Sequence, residues 1–582
     1  MQQRAARPKP VAISVPAEAL RDKPEVAPMW RSPTLWLALA GALLLWLSFP
    51  PLDWWPLAWI APLPWLWLIR QPDLAGRRPY AAIWLTGFAH WLLMLVGISM
   101  AHKALIAGWI ALAWYLAFYV PIFVWLARVA VHRLGISLIV AAPVVWVGLE
   151  LVRGHLITGF SAGLLGHTQV AWPALLQISD LVGAYGVSFL MMLVAASLAR
   201  MLPQSKERWT LWPAAVAAIA LMITLAYGTY RLSETPPQAS REPLKVALIQ
   251  GSLDTQFDQN RVDETFAHYG RLTNEARANN PRLDLVIWPE SMFAAPERLM
   301  EQPLTEAPSD GLPADRLAKE LDSYGTQFQA ILAAEAARAN IVATDGTRQA
   351  TPTYLLVGTA TLVYGPHDER RTYNTALLAD PEGHVAGRYY KTHPVMFGEY
   401  IPFAQWLPWL YKITPMAGGL SIGDGPKTFE IAGLALSPSI CFESVVPHLI
   451  RRQVVELGRR GTPADVLVNV TNDGWFWGTA ILDLHFRCAI FRAIENRKPV
   501  IIAANTGFSG WIDGNGCVLA QGPRRAARVL VADVVPDGRA SPYRLIGDWP
   551  AIFCALACLV LAVIGWRKSP ANQASPGKQA RK

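Results

Sequence analysis

The sequence predicts a polytopic α-helical membrane domain of about eight spans combined with one α/β domain. Hydrophobic residues make up 53% of the 582 residues and charged residues only 16%, a bias typical of membrane proteins. The apolar runs fall into two groups, and the long block between them alternates short β-branched runs with helical stretches. A chain of this length exceeds one ordinary domain, so we expect these two parts to fold as separate units.

The membrane domain is predicted from seven apolar runs before residue 230 and an eighth run near the C-terminus. Several of them approach the ~20 residues that a helix needs to cross the hydrocarbon core. The first two runs are short and contain proline, as tilted or interfacial segments do. We therefore predict a seven-span domain at 31–230 and an eighth transmembrane helix at 549–566. The runs are 34–50, 53–69, 80–100, 104–127, 136–152, 181–201, 209–229 and 549–566.

Basic residues in the loops predict the orientation, because Lys and Arg accumulate on the cytoplasmic side of a membrane. The odd-numbered loops contain little beyond Lys103 and Arg153, whereas the even-numbered loops are rich in basic residues. Those residues are Arg70, Arg77, Arg78, Arg128, Arg133, Arg200, Lys206 and Arg208. We predict that 1–30 is a disordered basic cytoplasmic tail and that 567–582 is a second one. This topology accounts for the net charge of +9 without a nucleic-acid partner.

The region at 243–540, after a linker at 231–242, is predicted to lie outside the cytoplasm as a layered sandwich with helices covering sheets. Its cysteines, Cys441, Cys488 and Cys517, are too few for a disulfide framework, and no metal site or cofactor is predicted. The predicted strands are Val246–Gln250, Leu285–Trp288, Leu355–Val363, Ala432–Ile440 and Val466–Val470. The predicted helices are 259–279, 444–459 and 481–497.

Three polar reactive groups stand at the ends of apolar strands, where the active sites of layered folds usually form. Glu290 follows a strand and a proline, Lys391 lies among aromatic residues, and Cys441 closes a strand just before a helix. Taken singly, each has an ordinary interpretation: a surface glutamate, a snorkelling lysine and an inert buried cysteine. A helix N-terminus behind Cys441 favours the thiolate, which is the nucleophilic form of the side chain.

The order of these residues resembles the Glu, Lys, Cys pattern of the nitrilase, or carbon–nitrogen hydrolase, superfamily. Residues 468–507 also resemble the strand, turn, helix and next strand end that follow the cysteine in that superfamily. The resemblance implies a nitrilase-type α-β-β-α sandwich. Acyl transfer needs a nucleophile, a base and an oxyanion site, and we assign these roles to Cys441, Glu290 and Lys391. Further side chains expected to shape the site or bind substrate are Glu399, Glu443, Phe442 and Asn472.

The membrane half resembles that of the apolipoprotein N-acyltransferases, a membrane-embedded family of this superfamily in bacterial inner membranes. The segments that carry the resemblance are Trp146–Gly154, Gly159–Phe160, Gln177 and Gly183–Val187, and both halves together cover 34–566. The resemblance implies a phospholipid acyl donor, phosphatidylethanolamine, and a diacylglyceryl apolipoprotein as acceptor, with a thioester on the cysteine between the two steps. It also implies a cofactor-free monomer in the inner membrane with its catalytic domain on the periplasmic side.

The chain departs from that family's pattern at the site and between its motifs. Phe442 stands where the family commonly has tyrosine, and an insertion near 295–335 lengthens the stretch between Glu290 and Lys391. Two alternatives remain open from the residues alone. A membrane-tethered amidase would use water as the acceptor, although seven spans are more than a tether needs. A transporter or structural protein would have lost catalysis, although the three reactive residues are intact.

Overall fold

The structure, a computed structural model, describes most of the chain. The described residues are 28–103, 105–204, 209–238, 240–254, 261–301, 313–340, 352–365, 370–396, 398–401, 406, 409 and 419–567. Of the predicted cytoplasmic tails, 1–27 and 568–582 lie outside them, as do 302–312 of the predicted insertion. Within the described residues, helices form the part up to Ser233, and two β-sheets form the part from Leu244 to Val534.

The N-terminal part and the C-terminus consist of apolar helices. Their bounds are α1 (Pro33–Leu47), α2 (Leu63–Arg70), α3 (Pro79–Met94), α4 (Ile98–Ala101), α5 (Leu105–Leu116), α6 (Tyr119–Arg128), α7 (Leu138–His155), α8 (Pro173–Leu176), α9 (Ser179–Val182), α10 (Ala184–Met201), α11 (Trp212–Ser233) and α17 (Trp549–Arg567). Five stretches among the described residues are long and apolar enough to cross a membrane: Leu105–Arg133, Leu138–Thr158, Ala184–Met201, Trp212–Ser233 and Trp549–Arg567. The chain is therefore a membrane protein with several spans, and the count of eight stays a prediction.

The helices α7 and α17 pack closely because a glycine removes the side chain between them. A Cβ atom on Gly148 of α7 would lie 2.6 Å from the carbonyl oxygen of Cys554 and 2.7 Å from the sulfur of Cys558, both on α17. Small residues at such positions let two backbones approach where no hydrophobic driving force exists between helices in lipid. Helix α17 is thus fixed against the N-terminal bundle.

The soluble domain contains two β-sheets. One has the strand order β13-β1-β2-β4-β5-β6 with β3 beside β4, and the other has the order β12-β11-β10-β9-β8-β7. The bounds are β1 (Leu244–Gln250), β2 (Leu285–Ile287), β3 (Glu297–Met300), β4 (Tyr354–Tyr364), β5 (Arg370–Ala379), β6 (Val385–Tyr390), β7 (Phe429–Ile431), β8 (Leu434–Ile440), β9 (Val466–Thr471), β10 (Val500–Ala504), β11 (Gly510–Ile512), β12 (Val518–Gln521) and β13 (Arg528–Val534).

Helices cover both sheets and give the predicted α-β-β-α sandwich. The helices are α12 (Val262–Asn279), α13 (Ala314–Asn340), α14 (Pro447–Arg459), α15 (Ile481–Asn496) and α16 (Pro542–Ile546). Buried aliphatic side chains from both sheets form one core between them, including Leu248 and Val468. A second core joins the outer face of the first sheet to α12 and α13 through Leu272 and Leu332. The predicted fold class is therefore confirmed.

Part of the predicted insertion near 295–335 forms a long amphipathic helix rather than a loop. Helix α13 has 27 residues and buries Leu332 and Ala336 against the domain. Its backbone approaches the turn after β5 so closely that a Cβ on Gly383 would lie 2.4 Å from the Cα of Ala333. This helix and the strand β5 were not predicted from the sequence, whereas the strand end before Lys391, which is the end of β6, was predicted.

Helix α15 joins the soluble domain to the membrane domain. Every residue from Phe486 to Asn496 is buried, and the helix shares one continuous hydrophobic core with the N-terminal helices. Its residue Glu495 accepts hydrogen bonds from the guanidinium of Arg492, at 2.7 and 2.8 Å. The same carboxylate accepts the backbone N–H of Ala184 at the start of α10, at 2.9 Å. The two domains are therefore held together by apolar burial and by satisfied polar groups.

A buried carboxylate stabilises the same junction. Asp180 on α9 is fully buried and lies 2.5 Å from the guanidinium of Arg497, which follows α15. It also accepts hydrogen bonds from Arg231 at 2.8 Å and from the hydroxyl of Tyr227 at 2.5 Å, both on α11. One carboxylate thus pairs with two guanidinium groups from different parts of the chain, and Glu234 supplies a second negative charge to Arg231.

We predict that Asp180→Asn destabilises the whole protein, because it leaves buried guanidinium charge without its counter-charge. The expected loss in the free energy of unfolding is about 3–5 kcal/mol. Denaturant unfolding of the purified protein in detergent micelles measures it. The matched control is Asp263→Asn on the exposed face of α12, which should change stability by less than about 0.5 kcal/mol. Equal stability of the two variants would contradict the role of Asp180.

Candidate active site

Strand direction brings the three predicted reactive residues to one edge of the sandwich. Strand β2 is parallel to β4, and two antiparallel steps through β5 give β6 the same direction as β2. The residues that follow β2 and β6, Glu290 and Lys391, therefore lie at the same sheet edge. Cys441 follows β8 in the facing sheet. All three strand-end placements predicted from the sequence are observed.

The ammonium group of Lys391 is buried between two carboxylates. Its Nζ donates a hydrogen bond to Glu399 Oε1 at 2.6 Å and lies 3.6 Å from Glu290 Oε1, and the side chain is only 1% exposed. Burial disfavours the charged form, but the two carboxylates outweigh it and raise the pKa of Lys391. The two carboxylates therefore favour the ammonium form of Lys391, and its side chain is buried from solvent.

Glu290 is buried, and each of its oxygens has a defined partner. Its Oε1 accepts from Asn374 Nδ2 at 2.7 Å, and its Oε2 accepts the backbone N–H of Asn472 at 2.8 Å. Burial raises the pKa of Glu290, and Glu399 adds to the rise while Lys391 opposes it. This carboxylate is held in a fixed orientation and is more basic than an exposed one.

Close backbone packing allows the turn at Glu290. A Cβ on Gly358 of β4 would lie 2.4 Å from the Cα of Glu290 and 2.5 Å from the carbonyl oxygen of Pro289. The next residue, Ser291, has a positive φ of 62°. The neighbouring strand therefore needs a glycine here for the glutamate to turn inward from the strand end.

Cys441 has an unusual backbone and a thiol that stays protonated at rest. Its φ of 52° is a left-handed conformation that residues other than glycine rarely adopt. Burial and the carboxylate of Glu290 raise its pKa well above the ordinary value, and Lys391 opposes the rise. The expected thiolate-favouring helix is wrong: a single 3-10 turn, Cys441–Val445, follows the cysteine. The thiol therefore needs a base to become a nucleophile.

Glu443 connects the cysteine turn to the segment after β6. Its carboxylate is fully buried and accepts hydrogen bonds from the hydroxyl of Tyr389 at 2.9 Å and from the backbone N–H of Ile440 at 2.7 Å. It also accepts the backbone N–H groups of Thr392 and His393, at 2.7 and 3.0 Å. The carboxylate thus fixes the spacing between Cys441's turn and Lys391's strand.

Phe442 lies on the side of the site that faces the membrane domain. Its side chain packs in a small apolar cluster with Phe160 and Ala162 from the loop after α7. Its ring also lies nearly parallel to that of His393, with centroids 6.3 Å apart and planes 17° apart. The residue next to Cys441 therefore belongs to a cluster that includes a loop of the membrane domain.

Polar residues inside the membrane domain support that loop. Glu150 Oε1 accepts the backbone N–H of Leu165 at 2.8 Å, and Arg153 donates to the carbonyl oxygen of Gly163 at 3.1 Å. Both side chains line a small cavity of about 50 Å³ that also contacts His90. Each of the two side chains thus forms a hydrogen bond with the backbone of the loop after α7.

Asn374 is a site residue that the sequence analysis missed. Its amide group donates to Glu290 at 2.7 Å and to Glu399 at 3.2 Å, so it bridges the two carboxylates that flank Lys391. It lies on β5, which was not predicted as a strand. The available signal was a polar amide in the middle of a run of β-branched and aromatic residues, Arg371–Ala376.

One group of possible metal ligands lies apart from these residues. The ligand atoms of His155, His448 and Asp548 are within 4.8 Å of one another. However, the two imidazole rings stack 4.1 Å apart with planes 19° apart. Nitrogen lone pairs lie in the ring planes, and nearly parallel planes do not direct them at one ion. This described group is therefore not a preformed metal site.

Comparison with known proteins agrees with both halves of the chain. The model for the apolipoprotein N-acyltransferase N-terminal domain matches residues 41–197, and the carbon–nitrogen hydrolase model matches residues 245–543. Among solved structures, an amidase from Nesterenkonia sp. AN1 aligns with a TM-score of 0.32 at 16% identity, covering 52% of this chain and 95% of the amidase chain. That likeness is too remote to carry a conclusion.

Full-length relatives give the stronger result. The apolipoprotein N-acyltransferase of Rhodopirellula baltica is 33% identical over 564 residues, covering 90% of this chain and 96% of the relative. Those of Geobacter metallireducens and Haemophilus influenzae are 33% and 28% identical, covering 91% of this chain and 95% and 94% of the relatives. The chain therefore belongs to the apolipoprotein N-acyltransferase family and is a membrane acyltransferase with a carbon–nitrogen hydrolase domain.

Proposed function

We propose that this protein transfers a fatty acyl chain from a phospholipid to the α-amino group of an S-diacylglyceryl-cysteine apolipoprotein. This is the last step of lipoprotein maturation, and phosphatidylethanolamine is the proposed donor. The observation that carries the proposal is the buried cluster of Lys391 with two carboxylates beside the strained Cys441, at a strand edge that contacts the membrane domain. A covalent acyl-enzyme connects the two lipid substrates.

In the first step, Glu290 accepts the thiol proton as Cys441 attacks the ester carbonyl of the phospholipid. The sulfur–carbon bond forms, and the carbonyl oxygen becomes an oxyanion. Lys391 and the backbone N–H of Phe442 stabilise that charge. When the intermediate collapses, the ester oxygen leaves with the proton from Glu290 as a lysophospholipid, and the acyl chain remains on the cysteine as a thioester.

In the second step, the α-amino group of the apolipoprotein attacks the thioester, and Glu290 takes a proton from it. The carbon–nitrogen bond forms, the carbon–sulfur bond breaks, and the proton returns to the sulfur of Cys441. The same oxyanion site serves both steps because the carbonyl carbon stays in place. Donor and acceptor therefore bind in turn, which gives ping-pong kinetics.

The surrounding residues are proposed to hold this arrangement. Glu399 keeps Lys391 charged and oriented, and Asn472 orients Glu290 through its backbone N–H. Glu443 fixes the cysteine turn, and Phe442 forms part of the wall that the acyl chain contacts. Phe160 and Ala162 of the loop after α7 belong to the same apolar cluster as Phe442, so the membrane domain would supply part of this wall.

The proposed location follows from the substrates and the charge pattern. Both substrates are anchored in a bilayer, and the site borders the loop after α7, so the acyl chain has a route from the membrane. The basic loops and tails favour a catalytic domain on the periplasmic side of the inner membrane. All proposed catalytic groups come from one chain, which supports a monomeric enzyme.

A transfer assay tests the function. Purified protein in detergent is incubated with acyl-labelled phosphatidylethanolamine and a synthetic diacylglyceryl lipopeptide. The lipopeptide should gain one labelled chain on its amino group with wild-type protein and none with Cys441→Ala. Release of labelled free fatty acid from wild-type protein, with the lipopeptide unchanged, would instead establish water as the acceptor.

We predict that Lys391→Ala lowers the rate of acyl transfer by about 10²–10³. The oxyanion loses its cation, and Glu290 and Glu399 are left facing each other without a positive charge between them. Steady-state transfer rates measure the effect. Lys427→Ala is the matched control, because Lys427 is 41% exposed and pairs only with Asp424 among the described residues; its rate should equal that of wild type. A wild-type rate for Lys391→Ala would exclude its role.

We predict that Glu290→Gln lowers the rate of thioester formation by about 10²–10⁴. In wild type, kcat/KM should rise with pH as Glu290 loses its proton. Burial raises the pKa of Glu290, so this rise should occur above the ordinary carboxyl value of about 4.3. In the glutamine variant only pre-formed thiolate reacts, so the residual rate should keep rising through alkaline pH. An unchanged pH profile would contradict the assignment of the base.

A further inference from the structure

The carbonyl oxygen of Cys441 is held by three side-chain donors. The hydroxyl of Ser444 donates to it at 3.2 Å, the amide of Asn469 at 3.2 Å, and His485 Nε2 lies 3.1 Å from it. These donors come from the turn after β8, from β9 and from α15. A carbonyl oxygen has two lone pairs, so this one is more fully bonded than an ordinary backbone acceptor.

The position of this carbonyl determines where the thiol points. A left-handed backbone at a residue with a side chain costs about 1–3 kcal/mol and persists only where its surroundings enforce it. Cys441 has this conformation, with a φ of 52°. Fixing its carbonyl oxygen fixes ψ of the same residue and, with it, the direction of the Cα–Cβ bond. The three donors therefore hold the thiol toward Glu290 and Lys391.

The contacts of His485 define its protonation. Its Nδ1 lies 3.0 Å from Asp473 Oδ1, and its Nε2 lies 3.1 Å from the carbonyl oxygen of Cys441. The Asp473 carboxylate and the carbonyl oxygen can only accept, so the imidazolium form, which donates from both ring nitrogens, satisfies both contacts. Burial opposes that charge, but the adjacent Asp473 carboxylate and the carbonyl bond outweigh it and raise the pKa of His485.

Ser444, His485 and Asp473 lie along one chain of short polar contacts and have the residue types of the Ser-His-Asp triad of serine hydrolases. His485 Nε2 lies 2.9 Å from the hydroxyl of Ser444. However, that hydroxyl donates to the carbonyl of Cys441, and the residue is only 4% exposed. A doubly protonated imidazole has no lone pair with which to accept a serine proton. Ser444 is therefore a donor to the cysteine turn and not a second nucleophile.

We infer that His485, held doubly protonated by Asp473, is a positioning residue that fixes the nucleophile by donating a hydrogen bond to the carbonyl oxygen of Cys441. The inference rests on the proposed function, because it assumes that Cys441 forms the thioester. His485 touches neither the reacting sulfur nor the substrate in this account. It acts through the backbone of the cysteine, from a helix that also packs on the membrane domain.

Single-turnover formation of the thioester from labelled phospholipid tests the inference. His485→Ala should slow this step by about 10² or less, the cost of a nucleophile displaced by about 1 Å, while KM for the phospholipid stays unchanged. His485→Gln should form the thioester at least about tenfold faster than His485→Ala, because its amide can still donate to the carbonyl. His384→Ala is the control, since His384 is 73% exposed in the same domain, and it should match wild type.

Three results would each overturn the inference. They are a wild-type rate for His485→Ala, a change in KM alone, and a folded His485→Gln as slow as His485→Ala. If the His485 variants do not fold, Ser444→Ala removes another donor from the same carbonyl and leaves the buried ion pair intact. A several-fold slower step with wild-type thermal stability supports the inference, and a wild-type rate overturns it. Absence of a thioester on the wild-type enzyme would instead refute the proposed function.

Discussion

The buried ammonium group of Lys391 is the constraint on which the site depends. A cation that is 1% exposed is tolerated only when counter-charges and hydrogen bonds replace the lost water. Glu399 and Glu290 supply these charges at 2.6 and 3.6 Å, and Asn374 bridges the two carboxylates. Because Lys391 needs these partners, the ends of β2 and β6 lie close to the middle of β5. Cys441, which follows β8 of the facing sheet, then lies beside this buried charged cluster.

The sequence predicts the main features of this site because they are local. A reactive residue that follows an apolar strand can be recognised from the linear sequence alone, and Glu290, Lys391 and Cys441 all have that setting. Asn374 and His485 were missed because their roles arise from pairings across the sheet and between the sheets. The thiol's protonation was also wrong, since burial and the Glu290 carboxylate outweigh the single 3-10 turn behind Cys441. Charge effects of this kind depend on which groups meet after folding.

Helix α15 and the loop after α7 connect the two domains close to the site. Helix α15 is buried on all sides because one face packs on the sheet and another on the membrane helices. It carries His485, which contacts the cysteine turn, and Glu495, which caps the backbone at Ala184. Phe442 packs against the same small cluster as Phe160 of the membrane domain. The proposed nucleophile thus lies where the two domains meet, which suits an enzyme with lipid substrates.

Intact-protein mass spectrometry after incubation with phosphatidylethanolamine alone tests whether Cys441 carries an acyl group between the two steps. We expect that wild-type protein gains the mass of one acyl group and that peptide mapping assigns it to Cys441. Hydroxylamine should remove the group, and so should an added diacylglyceryl lipopeptide. An enzyme that acylates the lipopeptide without ever forming this adduct, or an adduct that persists in Cys441→Ala, would contradict the thioester mechanism.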